Sequence, residues 1–147
     1  MNSSIQLVVF IHNIQKSYAA YIRAVPSDYD LTTLQKELLV LLYNNPSLDK
    51  AGDLTNIGDY SKGNVSEALN NLADQKLIIK QNDENDARII HLKLTSKATP
   101  LISKLQKARN AFLKQFFSGF TSAEIDTYKD FTTRIINNIK QVNYESK

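Results

Sequence analysis

The sequence predicts a mainly α-helical fold carrying one small β-hairpin, with long helices at both ends of the chain. Three observations predict it. Apolar residues recur at helical spacing through residues 5–24 and again from Ile125 to Val142. Capping signals divide the middle of the chain into short helices. Two β-branched runs, LIIKQ at 77–81 and RIIHLKL at 88–94, flank the turn-rich NDENDA.

In the first helix Leu7, Ile11, Ile14, Tyr18, Tyr21 and Val25 form one stripe, and Pro26 stops it. Ile5, Val8, Val9 and Phe10 widen that stripe beyond what a small domain covers by itself, so a long neighbour or a second subunit must cover it. After the turn-forming SDYD, Thr32 and Gln35 make a capping box for a second helix through QKELLVLLYNN, and Pro46 follows its end. Asp53 is the expected N-cap of a short third helix bearing Leu54 and Ile57, with Gly58 as its C-terminal signal.

Ser61 caps the next helix. Its Val65, Ala68, Leu69 and Leu72 point inward, which turns Lys62, Asn64, Ser66, Glu67, Asn70 and Asn71 outward. A short helix, a tight turn and a helix with a polar, amide-rich outer face make a helix-turn-helix, and the hairpin that follows adds a wing. Thr99 is expected as N-cap and Pro100 as first residue of a long helix through LISKLQKARNAFLKQFF, which Gly119 breaks. Thr121 and Glu124 box the start of a final helix carrying Ile125, Tyr128, Phe131, Ile135, Ile136, Ile139 and Val142. The expected organisation is one domain over 1–147, with a winged helix-turn-helix at 32–95 and helical dimerisation parts at 1–25 and 99–143.

Composition narrows the function. A chain of 147 residues is long enough to bury roughly two-thirds of its unfolded surface without a metal or disulfide staple. The absence of cysteine excludes a disulfide framework, a thiolate zinc site, a thiol nucleophile and thiol redox sensing. The two histidines, His12 and His91, fall on different elements with no acid or nucleophile at a recognisable spacing, so neither enzyme nor cofactor is expected. A calcium loop starting at Asp83 would need glycine at Arg88 and glutamate at Leu94. The first 23 residues lack a basic leader and are broken by His12, Asn13, Gln15 and Lys16, which argues against a signal peptide or membrane span and places the protein in the cytoplasm.

Charge is informative through its distribution, since a net +3 is common among proteins with no polyanionic partner. From Arg88 to Lys114 every charged side chain is basic (Arg88, Lys93, Lys97, Lys104, Lys107, Arg109, Lys114). Yet between Asp53 and Thr95 five basic groups (Lys62, Lys76, Lys80, Arg88, Lys93) stand against seven acidic ones (Asp53, Asp59, Glu67, Asp74, Asp83, Glu84, Asp86), so the winged module is net acidic.

From LTTLQKELLVLL through NVSEALNNLADQKLIIK and NDENDARIIHLKLT, the chain resembles the MarR family of bacterial regulators, and the likeness of architecture extends over nearly all of it. The wing is its most specific part: the family's aspartate, one residue, arginine, then a leucine-threonine pair, stand here as Asp86, Arg88, Leu94 and Thr95. The resemblance implies an obligate homodimer built from the first, fifth and sixth helices. It also implies a palindromic operator, often released when a small anionic or phenolic effector binds. A ligand pocket between the dimer helices and the DNA module is part of the same implication, with Tyr18, Tyr21, Tyr43 and Phe112 as aromatic candidates that also read as plain core. The chain departs from the family at Glu67 and Asn71, where members often carry basic groups, and at Lys76, which replaces a usual glycine between recognition helix and wing.

Binding to double-stranded DNA needs cations and amides on phosphates for affinity, and paired donors and acceptors at base edges for sequence choice. Ser61, Lys62, Gly63 and Ser66 crowd the start of the recognition helix, where free amides and the dipole favour phosphate and Gly63 lets the backbone come close. Asn64, Asn70 and Asn71 have the amide that pairs bidentately with adenine, and Asn64, nearest the helix start, is the first choice. Arg88 suits a narrow minor groove, with Asp86 set to hold it or the wing backbone. The asparagines equally read as solvated surface, Arg88 as half of a surface ion pair, and Lys104, Lys107 and Lys114 as a solvated face. Sequence leaves a second function open: a winged helix that has lost DNA binding and holds a protein partner instead, which the acidic module favours.

Overall fold

Leu77, fully buried, joins the helix that Ser61 caps to the hairpin that follows it. The structure is a computed structural model that describes residues 3–57 and 60–142. Gly58 lies outside the described residues, as do the side chains of Ile57 and Val142. Along the chain run α1 (Ser3–Arg23), α2 (Thr33–Asn44), α3 (Ala51–Ile57), α4 (Lys62–Asp74), β1 (Ile78–Asn82), β2 (Ile90–Leu94), a 3-10 turn (Ser96–Ala98), α5 (Thr99–Phe116) and α6 (Ser122–Val142). The chain forms two compact units, Met1–Phe112 and Leu113–Lys147. The division falls inside α5, so the helical part expected at 99–143 is shared between them. Among the described residues no helix is long and apolar enough to cross a membrane.

In the first unit the core is built from Leu38, Leu39, Leu54, Leu69, Leu72, Leu77, Ile78 and Leu105, all fully buried. The inward row of α4 is the expected one, Val65, Ala68, Leu69 and Leu72. The α2 capping box is complete: Gln35 N donates to Thr32 Oγ1 at 3.2 Å and Thr32 N to Gln35 Oε1 at 2.9 Å. Lys36 is buried on the same helix, its amine donating to the Val25 carbonyl at 2.8 Å and the Arg23 carbonyl at 3.3 Å. A cation on these carbonyls satisfies the open end of α1 and ties it to α2.

Three local expectations are corrected. First, α1 buries only Ile22, a residue outside the expected stripe, while Leu7 and Ile11 are exposed and Ile14, Tyr18 and Tyr21 half-buried. A 21-residue helix runs about 30 Å, and only its C-terminal turns reach the core. Second, α3 begins at Ala51, so Asp53 lies in its first turn and is not its N-cap. The chain is pinned just upstream, where Leu92 N donates to the Asp49 carbonyl at 2.6 Å and Lys50 bridges to His91. Asp53 still favours the positive end of the helix. Third, Thr99 is already helical, at φ −53 and ψ −47, because a 3-10 turn precedes it. Thr95, in extended conformation ahead of that turn, donates its hydroxyl to the Lys76 and Leu77 carbonyls at 2.7 and 3.2 Å and closes the base of the wing.

β1 and β2 pair antiparallel from Ile78↔Leu94 to Asn82↔Ile90. β2 starts two residues later than the run at 88–94 suggested. Ile89 instead closes the tip, its N–H donating to the Asp86 carbonyl at 2.9 Å and its carbonyl accepting from Asp83 N at 3.0 Å. Arg88 therefore sits on the tip.

In the second unit Gly119 takes φ +84, a value open to glycine, and turns the chain after α5. Thr121 and Glu124 then box the start of α6: Thr121 N donates to Glu124 Oε2 at 2.7 Å and Glu124 N to Thr121 Oγ1 at 3.3 Å. Phe116 and Phe117 pack edge-on to Tyr128 at 5.8 and 5.3 Å between ring centres. Further along, Phe131, Ile135, Ile136 and Ile139 are exposed.

α4 ends in a Schellman arrangement, with Leu77 N donating to the Leu72 carbonyl and Lys76 N to the Ala73 carbonyl, both at 2.9 Å. That geometry needs a left-handed residue, and it falls on Lys76, at φ +61. An L side chain there costs about 1–2 kcal/mol, more than the extra chain entropy of about 0.5–1 kcal/mol that glycine brings. Lys76→Gly is therefore expected to stabilise the fold by about 0.5–1 kcal/mol, read as a higher urea midpoint at unchanged slope. A lower midpoint would mean that the lysine side chain contributes more than its backbone costs.

Candidate nucleic-acid interface

The Ser61 side chain caps α4 by accepting from Asn64 N at 3.2 Å. Val65 N donates to the Ser61 carbonyl at 3.1 Å, and the first amides of the helix, those of Lys62 and Gly63, stay at its positive end. Ser61, Lys62, Gly63, Asn64, Ser66, Glu67, Asn70 and Asn71 are all exposed. They are not equivalent. At 3.6 residues per turn, the line opposite the buried Val65, Ala68, Leu69 and Leu72 runs through Gly63, Glu67, Asn70 and Asp74. Two of the acids that make the module net acidic, Glu67 and Asp74, therefore share the centre of the outer face.

The three asparagines differ in their bonds. Asn64 lies on the flank and, with Thr32, Leu34, Gln35, Glu67 and Asn71, lines a shallow hollow of about 230 Å³ against α2. Asn70 Oδ1 accepts from Lys80 Nζ of β1, a bond that links recognition helix to wing. Asn71 Oδ1 accepts from Gln75 Nε2 at 2.6 Å. Asn70 and Asn71 thus each have one of the two lone pairs of Oδ1 engaged inside the protein, while both amide donors stay open to a base edge.

At the wing tip the Arg88 side chain is 90% exposed. Its guanidinium makes a fork with Asp86, Nε to Oδ1 at 3.1 Å and Nη2 to Oδ2 at 3.2 Å, and its backbone N–H donates to Asp86 Oδ1 at 3.0 Å. These bonds hold the Asp86 carboxyl below the usual carboxylate range. Asp83 organises the turn before it, accepting from Asn85 N at 2.8 Å and Asp86 N at 3.0 Å through Oδ1. Its other oxygen meets His91 Nε2 at 2.9 Å, while His91 Nδ1 meets Asp49 Oδ2 at 2.7 Å. The bond from His91, then the two amides, bring Asp83 down to about 2, and the two carboxylates, Asp83 first, raise His91.

The His91 cluster escaped sequence reading. Half of it had a signal, because His91 pairs with Gln81 across the hairpin and Asp83 is its diagonal neighbour on the same face. The Asp49 half depends on how the chain before α3 lies against β2, which no local pattern encodes. Among the described residues, no three His, Asp or Glu groups are set to hold a metal ion.

The four aromatic candidates separate. Tyr18 and Tyr21 stand edge-on to the buried Phe112 at 5.4 and 5.7 Å. Tyr43 lines a different hollow of about 530 Å³ with Leu94, Thr95, Ser96, Thr99, Ile102, Ser103 and Gln106. The Gln106 Nε2 atom is buried and has no hydrogen-bond partner among the described residues. Tyr60, before α4, donates its phenol to Glu37 of α2, and burial followed by that bond pushes the phenol up.

Residues 29–89 match the sequence model of the MarR family. Among solved structures, the fold is similar to that of a MarR transcriptional regulator from Methanosarcina mazei Go1, at 21% identity over 92% of this chain and 97% of that one, with a TM-score of 0.78. It is similar to that of a putative MarR family regulator from Listeria monocytogenes complexed with 26mer DNA, at 22% identity, 95% and 89% coverage and a TM-score of 0.76. It is also similar to that of Bordetella bronchiseptica BpsR, whose DNA binding is regulated by 6-hydroxynicotinic acid, at 17% identity, 88% and 98% coverage and a TM-score of 0.66.

Packing does not require Gly63, since a β-carbon added there meets nothing within 4 Å. Gly63→Ala should therefore raise thermal stability by about 0.5–1 kcal/mol through helix propensity alone. If the backbone approaches phosphate at this point, the same substitution lowers DNA affinity while the protein becomes more stable. Equal affinity in wild type and variant would remove Gly63 from the interface.

Proposed function

We propose that this chain, whose residues 29–89 match the sequence model of the MarR family, is a transcriptional regulator that binds double-stranded DNA as a homodimer on a palindromic operator and acts as a repressor. One observation carries the reading: an exposed polar face of α4 and an exposed arginine braced at the wing tip occur together in a fold also found in a regulator solved on DNA.

In this reading α4 enters the major groove. Lys62 and the amides beside Ser61 and Gly63 take phosphate, Ser66 donates to the backbone, and Asn64 reads adenine. Asn70 acts jointly with Lys80. Arg88 enters the neighbouring minor groove, oriented by Asp86. Glu67 and Asp74 repel phosphate from the centre of the face, so affinity rests on few cations and the salt dependence is moderate.

Dimerisation follows from the apolar groups left uncovered, Ile5, Leu7, Val8 and Phe10 of α1 and Phe131, Ile135, Ile136 and Ile139 of α6. Apolar faces of this extent are covered in solution by a second copy. For an effector, the hollow around Tyr43 offers an aromatic ring and the buried Gln106 amide, fitting a small aromatic or anionic compound. Release would follow if that compound binds the free form better than the DNA-bound form. The working compartment is the cytoplasm. The acidity of the outer face favours the competing reading, a winged helix that holds a protein partner.

Fluorescence anisotropy against the DNA upstream of the protein's own gene separates the two. Arg88→Ala is expected to weaken binding to every duplex alike. Asn64→Ala is expected to cost about 1–3 kcal/mol of discrimination between operator and scrambled duplex, with little loss on the scrambled one. A wild-type protein retained on neither duplex at low salt would favour the protein-partner reading.

A further inference from the structure

His91 has no part in the contacts just described, yet its side chain joins the wing tip to the segment before α3 through Asp83 and Asp49. A neutral imidazole has one N–H and one lone pair, so between two carboxylates it can donate to one and must turn its lone pair on the other; an imidazolium donates to both. With Asp49 Oδ2 at 2.7 Å from Nδ1 and Asp83 Oδ2 at 2.9 Å from Nε2, the geometry suits the charged ring.

The two acids anchor different parts of the chain. Asp49 precedes α3, and its backbone carbonyl also accepts from Leu92 of β2. Asp83 opens the wing tip and accepts the amides of Asn85 and Asp86, and Asp86 grips Arg88. A proton on His91 is thereby linked, through Asp83 and the turn, to the arginine at the end of the wing. Glu84 and Lys93 line the same hollow as His91, Asp49 and Asp83, and Lys50 pairs with His91 through its backbone. The His91 side chain is 30% exposed, so protons exchange with solvent.

We propose that His91, bonded on both sides by Asp49 and Asp83, is a proton-operated staple that fixes the wing tip and so, given the DNA-binding reading above, tunes the protein's hold on DNA. The sign is set by the two directions of shift. His91 is raised above its ordinary value, so the staple is complete below about 6.5 and is lost as pH rises through the raised value. Asp83 is lowered to about 2, so its side of the staple persists until strongly acid pH. Alkaline pH therefore loosens the wing and acid pH, down to that limit, secures it.

The test uses the full chain. Ring-nitrogen NMR across about pH 5 to 9 follows His91. His91 is expected to titrate above the ordinary histidine value of about 6.5 and to move down towards it in Asp49→Asn, with amides at residues 84–89 losing protection, beyond the intrinsic rise of exchange with pH, over the same range. In anisotropy, wild-type affinity for DNA is expected to fall about two- to fivefold as His91 loses its proton, while His91→Gln binds at the weaker level throughout and loses that pH dependence. A His91 that titrates at or below about 6.5, wing protection indifferent to its titration, or a His91→Gln protein that keeps the wild-type pH profile would overturn the staple. Absence of DNA binding at every pH would instead overturn the DNA reading, with the staple decided by the ring nitrogens and amide exchange alone.

Discussion

The structure depends most on the junction at Leu77. Leu72 and Leu77 are both fully buried and joined through the backbone by the Leu77 N to Leu72 O bond. Each contributes about 1.5–3 kcal/mol of burial. Leu72 fixes the rotation of α4 and so decides which side chains face outward. Leu77 leads into β1, and its carbonyl receives both the backbone N–H and the hydroxyl of Thr95 where the hairpin returns. Recognition helix and wing are therefore aimed by one buried pair, and the left-handed Lys76 between them is the backbone cost of the sharp exit.

Electrostatics then determines how that scaffold can meet a polyanion. The centre of the α4 face carries Glu67 and Asp74, so it supplies little general attraction. Two of the cations in the proposed interface are held by a partner: Lys80 by Asn70, and Arg88 by Asp86. A braced arginine loses less side-chain freedom on reaching a groove, at the expense of sharing its charge with a carboxylate. The chain of acids from Asp49 through Asp83 to Asp86 thus serves orientation, and in the proposed reading it would give a net acidic module a shaped contact in place of a broad positive field.

How much of this was legible depended on range. The α2 and α6 capping boxes and the inward row of α4 involve residues three or four apart, and each appeared in its expected position. The likeness that placed Asp86 and Arg88 at the wing also flagged Lys76 as a departure, though only the backbone angle revealed what the usual glycine is for. Asp53 and Thr99 misled because tertiary bonds moved the helix starts: β2 pins residues 49–50 ahead of α3, and a 3-10 turn precedes α5. Ile22 escaped the stripe because burial of α1 depends on where the core ends, not on periodicity. The Asp49 contact of His91 spans 42 residues and has no local signature.

Hydroxyl-radical footprinting of the protein on its own upstream DNA tests the central claim most directly, since it reads helix insertion, wing contact and two-fold pairing in a single experiment. Two protected half-sites with centres about one helical turn apart, roughly 34 Å, flanked by minor-groove protection that disappears with Arg88→Ala, is the predicted result. Uniform weak protection without half-sites, or none at protein concentrations that saturate the duplex, would contradict it.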